Sequence, residues 1–449
     1  MSSTRRQFLH ASSAAGIAGS AFAAQSGAQR SISANDRIQI ALIGAGGMGS
    51  ADVDTALRVP GTEVVAACDV YDGRLARAKE AWGNQIFTTR DYKEVLARPD
   101  VDAVIVGTPD HWHAQIAIDA MNAGKDVYVE KPMVQKIEDG HRLIDAQKTS
   151  GRVLQVGSQY YQSLIYAKAK ELLKAGAIGQ LNMVEAWWDR NSAIGAWQYS
   201  MDPNASKADI DWQRFLGPAP QRPFEPIRLF RWRNYREYGT GVAGDLFVHL
   251  FTSLHYVTGA IGPTRVFGTG GLRFWKDGRD VPDVMIGLYE YPETPEHPAF
   301  NLTLRVNFVN GAGETSGFRF VGSDGTMNIG NTLTLTKTPR EAQPGYTIDT
   351  FASKQREQFL QEYMKQYPPE TAAAAAARPQ KQERYTAPRG DNAHLTHHRT
   401  FFEAVRTRRP LYEDSAVGMR AAGPALATNL SYFEQKALAW DPKTLTVKG

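Results

Sequence analysis

The 449-residue chain has a single cysteine, Cys68, so no disulfide can form within it and its stability has to come from packing. Cys68 falls inside an apolar strand pattern and reads as a packing residue. No stretch approaches the ~18 consecutive apolar residues that a membrane-spanning helix needs, which argues against membrane insertion. A dominant charge sign is missing as well. Lys plus Arg number 51 and Asp plus Glu 47, a net of +4 scattered along the chain, so nucleic acid is not an expected partner and a small neutral molecule is. No internal repeat is visible. What is present is ordinary globular composition, 42% hydrophobic and 22% charged, with length enough for two or three domains.

The first residues carry Ser3-Thr4-Arg5-Arg6-Gln7-Phe8-Leu9, a weakly apolar run over 11–22, and a small-residue Ala21-Phe22-Ala23 site. That order resembles a twin-arginine signal peptide. Residues 1–30 are therefore expected to be a signal and linker. The protein is expected to be periplasmic or otherwise exported, with the twin-arginine export machinery as a partner.

From residue 38 onward, strand and helix signals alternate: strands at 38–43, 63–68, 101–106 and 126–129, with helical periods between them. Short apolar runs separated by helices indicate α/β architecture, a doubly wound parallel sheet. This first domain is expected over 31–157, closed by a strand at 153–157 and left through a helix at 164–175. Beyond 181 the pattern changes to consecutive alternating strands at 181–188, 264–268, 284–291, 301–308, 317–321 and 332–336. These predict a C-terminal α+β domain over 158–449 with a large, mainly antiparallel open sheet, covered by helices at 242–256 and 419–438. The segment 341–390 is rich in Gln, Lys and Pro and holds six alanines at 372–377, so it reads as a low-complexity, partly helical insertion.

The first strand runs into Gly44-Ala45-Gly46-Gly47-Met48-Gly49, a Gly-x-Gly-x-x-Gly turn that opens a helix. Gly44 permits the tight turn, Gly46 and Gly47 let backbone approach a diphosphate, and Gly49 lets helix and strand pack closely. Asp69 follows at the end of the second strand, where a carboxylate accepts hydrogen bonds from ribose hydroxyls and repels a 2′-phosphate. No arginine follows it immediately; Arg74 is five residues on. The expected cofactor is NAD, with NADP less favoured. Export in folded form would require that nucleotide to be tightly held.

Two more segments follow strand ends and so should line the crevice: Gly107-Thr108-Pro109-Asp110-His111-Trp112-His113, and Glu130-Lys131-Pro132. Together with the glycine turn they resemble the family of glucose-fructose oxidoreductase, inositol dehydrogenase and the rhizopine-catabolism oxidoreductases (Gfo/Idh/MocA). The resemblance implies a Rossmann domain, activity on a sugar or polyol, and cofactor contacts from Thr108, Pro109, His111, His113, Glu130 and Lys131. It places the triplet lysine, Lys131, beside the nicotinamide, with a downstream Asp-x-x-x-His, here Asp245 and His249, supplying the other polar groups. It also implies a homo-oligomer joined through the second-domain sheet.

A spacing of four puts Asp245 and His249 on one helix face, so both can converge on one hydroxyl. Oxidising a carbinol requires the hydroxyl proton to leave as hydride does; His249, ordinarily titrating near neutrality, suits the general base. Lys131 would stabilise the developing charge on oxygen, and Asp245 would orient the imidazole or grip a hydroxyl. Trp188, Arg190, Arg231, Tyr235 and Tyr160 are candidate substrate contacts, because aromatic faces and Arg forks suit a sugar ring. A redox-neutral alternative uses the same site: transient oxidation of a glycoside, then elimination. The segment after Asp245 lacks the Thr-His-Gly-Leu-Gly-Pro type of sequence of the N-acetylgalactosaminidase branch. No metal is assigned. His111 and His113 have no third ligand, and His394, His397 and His398 read as a solvated helix start.

Overall fold

A strand that is apolar on both faces needs cover on both, and the first sheet illustrates this: β4 (Ala103–Val106) and β5 (Asp126–Val129) are buried at every residue. They join β1 (Ile38–Ile43), β2 (Thr62–Cys68), β3 (Phe87–Thr89) and β6 (Leu154–Val156) in one sheet, all parallel, in the order β3-β2-β1-β4-β5-β6. The order reverses between β1 and β4, and ligands of such sheets sit outside the strand carboxyl ends at that reversal. The structure, a computed structural model, describes residues 37–337, 346–368 and 382–448. The expected signal and linker over 1–30 lies outside the described residues.

The second sheet has ten strands: β7 (Leu181–Asp189), β8 (Arg265–Gly271), β9 (Val284–Tyr291), β10 (Phe300–Asn307), β11 (Thr315–Gly322), β12 (Gly325–Ile329), β13 (Leu333–Lys337), β14 (Glu383–Tyr385), β15 (Leu438–Asp441) and β16 (Thr446–Lys448). Their order is β14-β13-β12-β11-β7-β10-β9-β8-β15-β16. Neighbours are antiparallel except β7 and β10, which are parallel. In β9, Met285, Tyr289 and Tyr291 point inward while Ile286, Leu288 and Glu290 face out, the period-two pattern of a sheet covered on one side. The cover is the helices Val248–Thr258 and Ser415–Glu434. Phe251 meets Tyr289 edge-on at 5.0 Å, and the Tyr289 hydroxyl lies 2.7 Å from Thr428 Oγ1.

Several elements differ from the sequence expectation. β3, β12, β15 and β16 are strands absent from that expectation, each only three to five residues long. Within 341–390 the described residues form a short 3-10 turn, the helix Ser353–Gln366 with no buried residue, and β14, which rejoins the sheet beside β13. Most consequential is the helix Ala393–Thr407, capped by the Asn392 side chain accepting from the Leu395 N–H. Its Leu395, Phe401, Phe402 and Val405 pack with Ile40, Leu42 and Val53, so a helix from the far end of the chain roofs one face of the first sheet. His397 and His398 are fully buried there rather than solvated, because His398 lies on the same helical stripe as Leu395 and Phe402. Its ring stacks on Tyr128 of β5 at 4.5 Å. Among the described residues no helix is long and apolar enough to cross a membrane.

Candidate active site

A cleft of about 770 Å³ opens at the reversal point, a size suited to a cofactor together with a small substrate. Its nucleotide end is shaped by backbone. Gly44 has φ +97, and a Cβ there would lie 2.5 Å from the Thr108 backbone nitrogen. A Cβ on Gly49 would lie 2.3 Å from Gly44 O, so Gly49 serves helix–strand packing inside the turn and does not line the cleft. Gly46, Gly47 and Met48 do line it, and nothing lies within 4 Å of a Cβ placed on Gly47. The helix Gly47–Ala56 that follows has no side-chain cap, leaving its first amides for an anion. These features fit a dinucleotide's diphosphate.

Asp69 is buried at the end of β2. Its Oδ2 accepts from the Ala45 N–H at 2.8 Å and its Oδ1 from the Tyr71 N–H at 3.0 Å, so the carboxylate also holds the glycine turn in shape. Arg74, distant by sequence count, reaches Asp69 Oδ2 at 3.4 Å because the start of the helix Asp72–Trp82 folds it back.

Thr108, Pro109, Glu130 and Lys131 line the middle of the cleft. His111 and His113 do not, which corrects the cofactor contacts expected of them. Both are buried inside the helix Asp110–Asn122, and their rings serve carbonyl oxygens: His111 Nε2 lies 2.9 Å from Phe215 O, and His113 Nδ1 and Nε2 lie 2.7 and 2.8 Å from Pro132 O and Thr108 O. Burial pushes both imidazoles down to about 4, so each ring is neutral near pH 7 and carries a single N–H, which His111 can donate to Phe215 O and His113 to only one of its two carbonyls at a time. Trp112, between them, faces the cleft.

The substrate end collects side chains from distant segments. Lys131 Nζ donates to Asp245 Oδ1 at 2.9 Å and to the Asp245 backbone oxygen at 3.0 Å, with both side chains largely buried. Lys131 thus pairs with Asp245, 114 residues away, rather than with adjacent Glu130. Burial pushes the Glu130 carboxyl well above its usual range. Arg233 Nε donates to Asp245 Oδ1 at 3.2 Å, and its guanidinium lies over the Trp232 ring at 4.2 Å. Burial alone would raise the Asp245 carboxyl, but Lys131, Arg233 and Arg190 together hold it well below the usual range, so it is ionised.

Asp245 sits in a π-helical turn, Ala243–Phe247, that leads into the helix carrying His249. The wider turn alters the simple one-face geometry expected from a spacing of four. Asp245 is committed to Lys131 and Arg233, and among the described residues no hydrogen bond joins it to His249. The His249 ring lies 5.3 Å from Trp188 and edge-on to Tyr160 at 4.9 Å, with Nδ1 buried and unpartnered. Burial first, then the Lys131 charge, push its imidazole well below the usual histidine range. It is neutral at pH 7 and does not titrate near neutrality.

Tyr160, Trp188 and Arg190 line the cleft; Arg231 and Tyr235 do not. Arg231 turns back to donate to Tyr199 O at 2.9 Å and to Gln198, and Tyr235 is buried beneath the Arg228 guanidinium. The 3-10 turn Trp232–Asn234 brings Arg233 to Asp245 and Trp232 to the cleft wall, while Arg231 and Tyr235 face elsewhere. Arg233, Gln159 and Tyr199 therefore join the cleft unanticipated. For Arg233 the signal was in the Arg231-Trp232-Arg233-Asn234-Tyr235 run, but the choice among its members depends on the turn.

A doubly wound parallel sheet whose glycine turn and Asp69 share one cleft with Lys131, Asp245 and His249 defines the class: a dinucleotide-binding α/β protein. Comparison with known proteins assigns the family. Residues 38–158 match the oxidoreductase-family NAD-binding Rossmann fold, and 213–328 match the Gfo/Idh/MocA C-terminal domain. The chain belongs to the Gfo/Idh/MocA family, and its first domain is an NAD-binding Rossmann domain. It is 33% identical over 149 residues to inositol 2-dehydrogenase of Salmonella typhimurium (strain LT2), covering 33% of this chain and 44% of that one. It is 32% identical over 160 residues to glycosyl hydrolase family 109 protein 1 of Shewanella sp. (strain MR-4), covering 33% and 34%. The chain thus spans under half the length of these curated relatives. Among solved structures, levoglucosan dehydrogenase in complex with NADH and levoglucosan superposes with a TM-score of 0.65 at 18% identity, covering 90% of this chain and 99% of that one. The WlbA dehydrogenase from Bordetella pertussis, with NADH and UDP-GlcNAcA, gives 0.63 at 16%, covering 90% and 99%. At these identities the likeness is one of fold.

Proposed function

We propose that the chain is an NAD-dependent oxidoreductase that oxidises a hydroxyl of a sugar, polyol or glycoside, with Lys131, Asp245 and His249 at the reacting carbon. The observation that carries this reading is the buried Lys131–Asp245 pair at 2.9 Å, set beside His249 in the same cleft that the glycine turn opens. When bound, NAD+ accepts the hydride that leaves the carbinol carbon.

The protein supplies proton and charge management. An ammonium has three N–H donors; Asp245 takes two from Lys131, leaving the third for the substrate oxygen, where it stabilises the negative charge that develops as the carbonyl forms. Neutral His249 accepts the hydroxyl proton. The Lys131 charge that weakens His249 as a base also acidifies the hydroxyl, so the transfer stays feasible. Tyr160 and Trp188 offer faces for a sugar's C–H surface, and Arg190 and Arg233 offer donors to neighbouring hydroxyls.

A second reading, redox-neutral cleavage of a glycoside by transient oxidation and elimination, is favoured by the match to a glycosyl hydrolase family 109 protein. One experiment separates them: purified protein is assayed for released nucleotide, then incubated with sugars and aryl glycosides. NADH accumulating with consumed sugar supports the dehydrogenase. Aglycone release without net NADH supports the second reading, and protein that neither carries nor takes up nicotinamide nucleotide removes both. The Arg5-Arg6 leader supports export in folded form with the nucleotide already held; a reporter fused after residue 30 should reach the periplasm through the twin-arginine route and stay behind when both arginines become lysine.

A further inference from the structure

Three side chains outside the cleft converge in a way that neither the fold nor the proposed reaction requires. Asp52 is fully buried in the helix Gly47–Ala56, one turn beyond the glycine turn, and His394 and His398 come from the helix Ala393–Thr407 packed against it. Asp52 Oδ1 lies 2.8 Å from His394 Nε2 and 3.3 Å from His398 Nε2, and the two Nε2 atoms are 3.3 Å apart. Asp52 Oδ2 is buried with no partner, as is His398 Nδ1.

The protonation pattern makes this triangle unusual. Thr55 Oγ1 gives its own hydrogen to Ala51 O at 2.8 Å, so toward His394 Nδ1, 3.3 Å away, it can only accept. His394 therefore carries its proton on Nδ1, and in the neutral ring the Nε2 lone pair points at a carboxylate oxygen. Two acceptors facing each other at 2.8 Å need a cation between them. Two of the three edges also suit a metal: with bonds of about 2.0–2.1 Å, tetrahedral donors stand about 3.3 Å apart, the distance from His398 Nε2 to both partners, while the 2.8 Å Asp52–His394 edge has to open as an ion enters. His394 is 24% exposed at its side chain, giving a path for entry and for a water in the fourth position.

We propose that Asp52, His394 and His398 form a structural binding site for a divalent transition metal, with Zn2+ the ion its two-imidazole, one-carboxylate donor set favours, stapling the helix that follows the glycine turn to the helix returning from the C-terminal part of the chain. Thr55 is the outer partner that fixes the His394 tautomer. The site replaces the solvated role expected of these histidines, and it lies outside the cleft, so it is independent of which reaction the cleft performs.

The test is metal titration of the full protein after treatment with chelator and dialysis. Wild-type protein should bind one equivalent of Zn2+, and Co2+ in its place should show the visible bands of a tetrahedral N/O site. His394→Ala, at a part-exposed position, should weaken Zn2+ binding at least ~10-fold, the scale of losing one ligand. Asp52→Asn should do the same, while His141→Ala, at an exposed histidine elsewhere, should bind as wild type. Added Zn2+ should raise the melting temperature of wild type but not of His394→Ala. No stoichiometric Zn2+ in wild type, or equal binding by His394→Ala and wild type, overturns the proposal in favour of a proton-bridged His–Asp–His cluster.

Discussion

The two ends of the cleft are built from different materials. At the nucleotide end, one short turn, 44–49, supplies Gly44, Gly46, Gly47 and Met48 to the cleft and depends on absent side chains at its glycines, with a φ of +97 at Gly44 and backbone within 2.5 Å of where its Cβ would stand. At the substrate end, a charged set arrives from separate stretches of chain: Lys131 and Arg233 are held by ion pairs to Asp245, and Arg190 by its bond to Gly195 O. One end should fail when a carbon is added and the other when a charge is removed, and the two failures should look different.

The largest expected effect is at the substrate end. Lys131→Ala removes the donor to the developing oxyanion and should lower kcat/KM by about 10³-fold, the scale of losing one such donor. Bound nucleotide should be nearly unchanged. Turnover at wild-type level in that variant would take Lys131 out of the mechanism, and loss of nucleotide would erase the distinction between the ends. Gly44→Ala should do the reverse. Holding a non-glycine residue in that conformation costs about 1–3 kcal/mol, roughly a 10- to 100-fold loss of nucleotide affinity, with kcat at saturating nucleotide less affected. Calorimetric NAD+ titration beside steady-state kinetics separates the two patterns.

The third effect concerns His249. Its imidazole is held low by burial and by the neighbouring Lys131 ammonium, so its ring resonances should stay those of a neutral histidine from pH 8 down through pH 6. A cation disfavours protonation of its neighbour, so Lys131→Ala should move the NMR titration midpoint upward. A midpoint unchanged by that substitution would mean that burial alone sets it and that the two side chains are not electrostatically linked.

The difference between the ends also explains what could be read from the sequence. The glycine turn, Asp69 and the alternating strands of the first sheet are local signals: each residue's role follows from neighbours within a few positions. Lys131 and Asp245 were legible as family motifs, but their partnership spans 114 residues and only the fold creates it. His111 and His113 misled because a loop at a strand's carboxyl end is expected to face ligand, whereas the helix begins at Asp110 and turns both rings inward. Arg231 and Tyr235 misled because one short 3-10 turn decides which residue of an Arg/aromatic run points at Asp245. The helix Ala393–Thr407 shows the limit most clearly. Its apolar stripe announces a buried face, yet nothing in its own residues says that the face belongs to the first sheet, more than 200 residues back.

The smallest predicted effect tests the joint between the two ends. Asp110, at the start of the helix after β4, is fully enclosed and accepts from both the Thr240 N–H at 2.9 Å and the Thr240 hydroxyl at 2.7 Å, tying the cofactor-side loop to the segment that leads into Asp245. Burial, reinforced by the Asp245 charge, pushes its carboxyl up to about 7. A carboxyl raised in the folded state binds protons that the unfolded chain, titrating near 3.8, has already released. Its contribution to stability is therefore fully present below pH 4, declines as pH rises toward 7, and is constant above that. Asp110→Asn keeps an acceptor for Thr240 but carries no titration. The melting temperature of the variant minus that of wild type should therefore climb between pH 4 and 7 and then level off, by a few degrees at most. A flat difference across that window would mean that Asp110 is ionised in the folded protein, and that Thr240, with Arg233 and Lys131 nearby, stabilises its charge as well as water would.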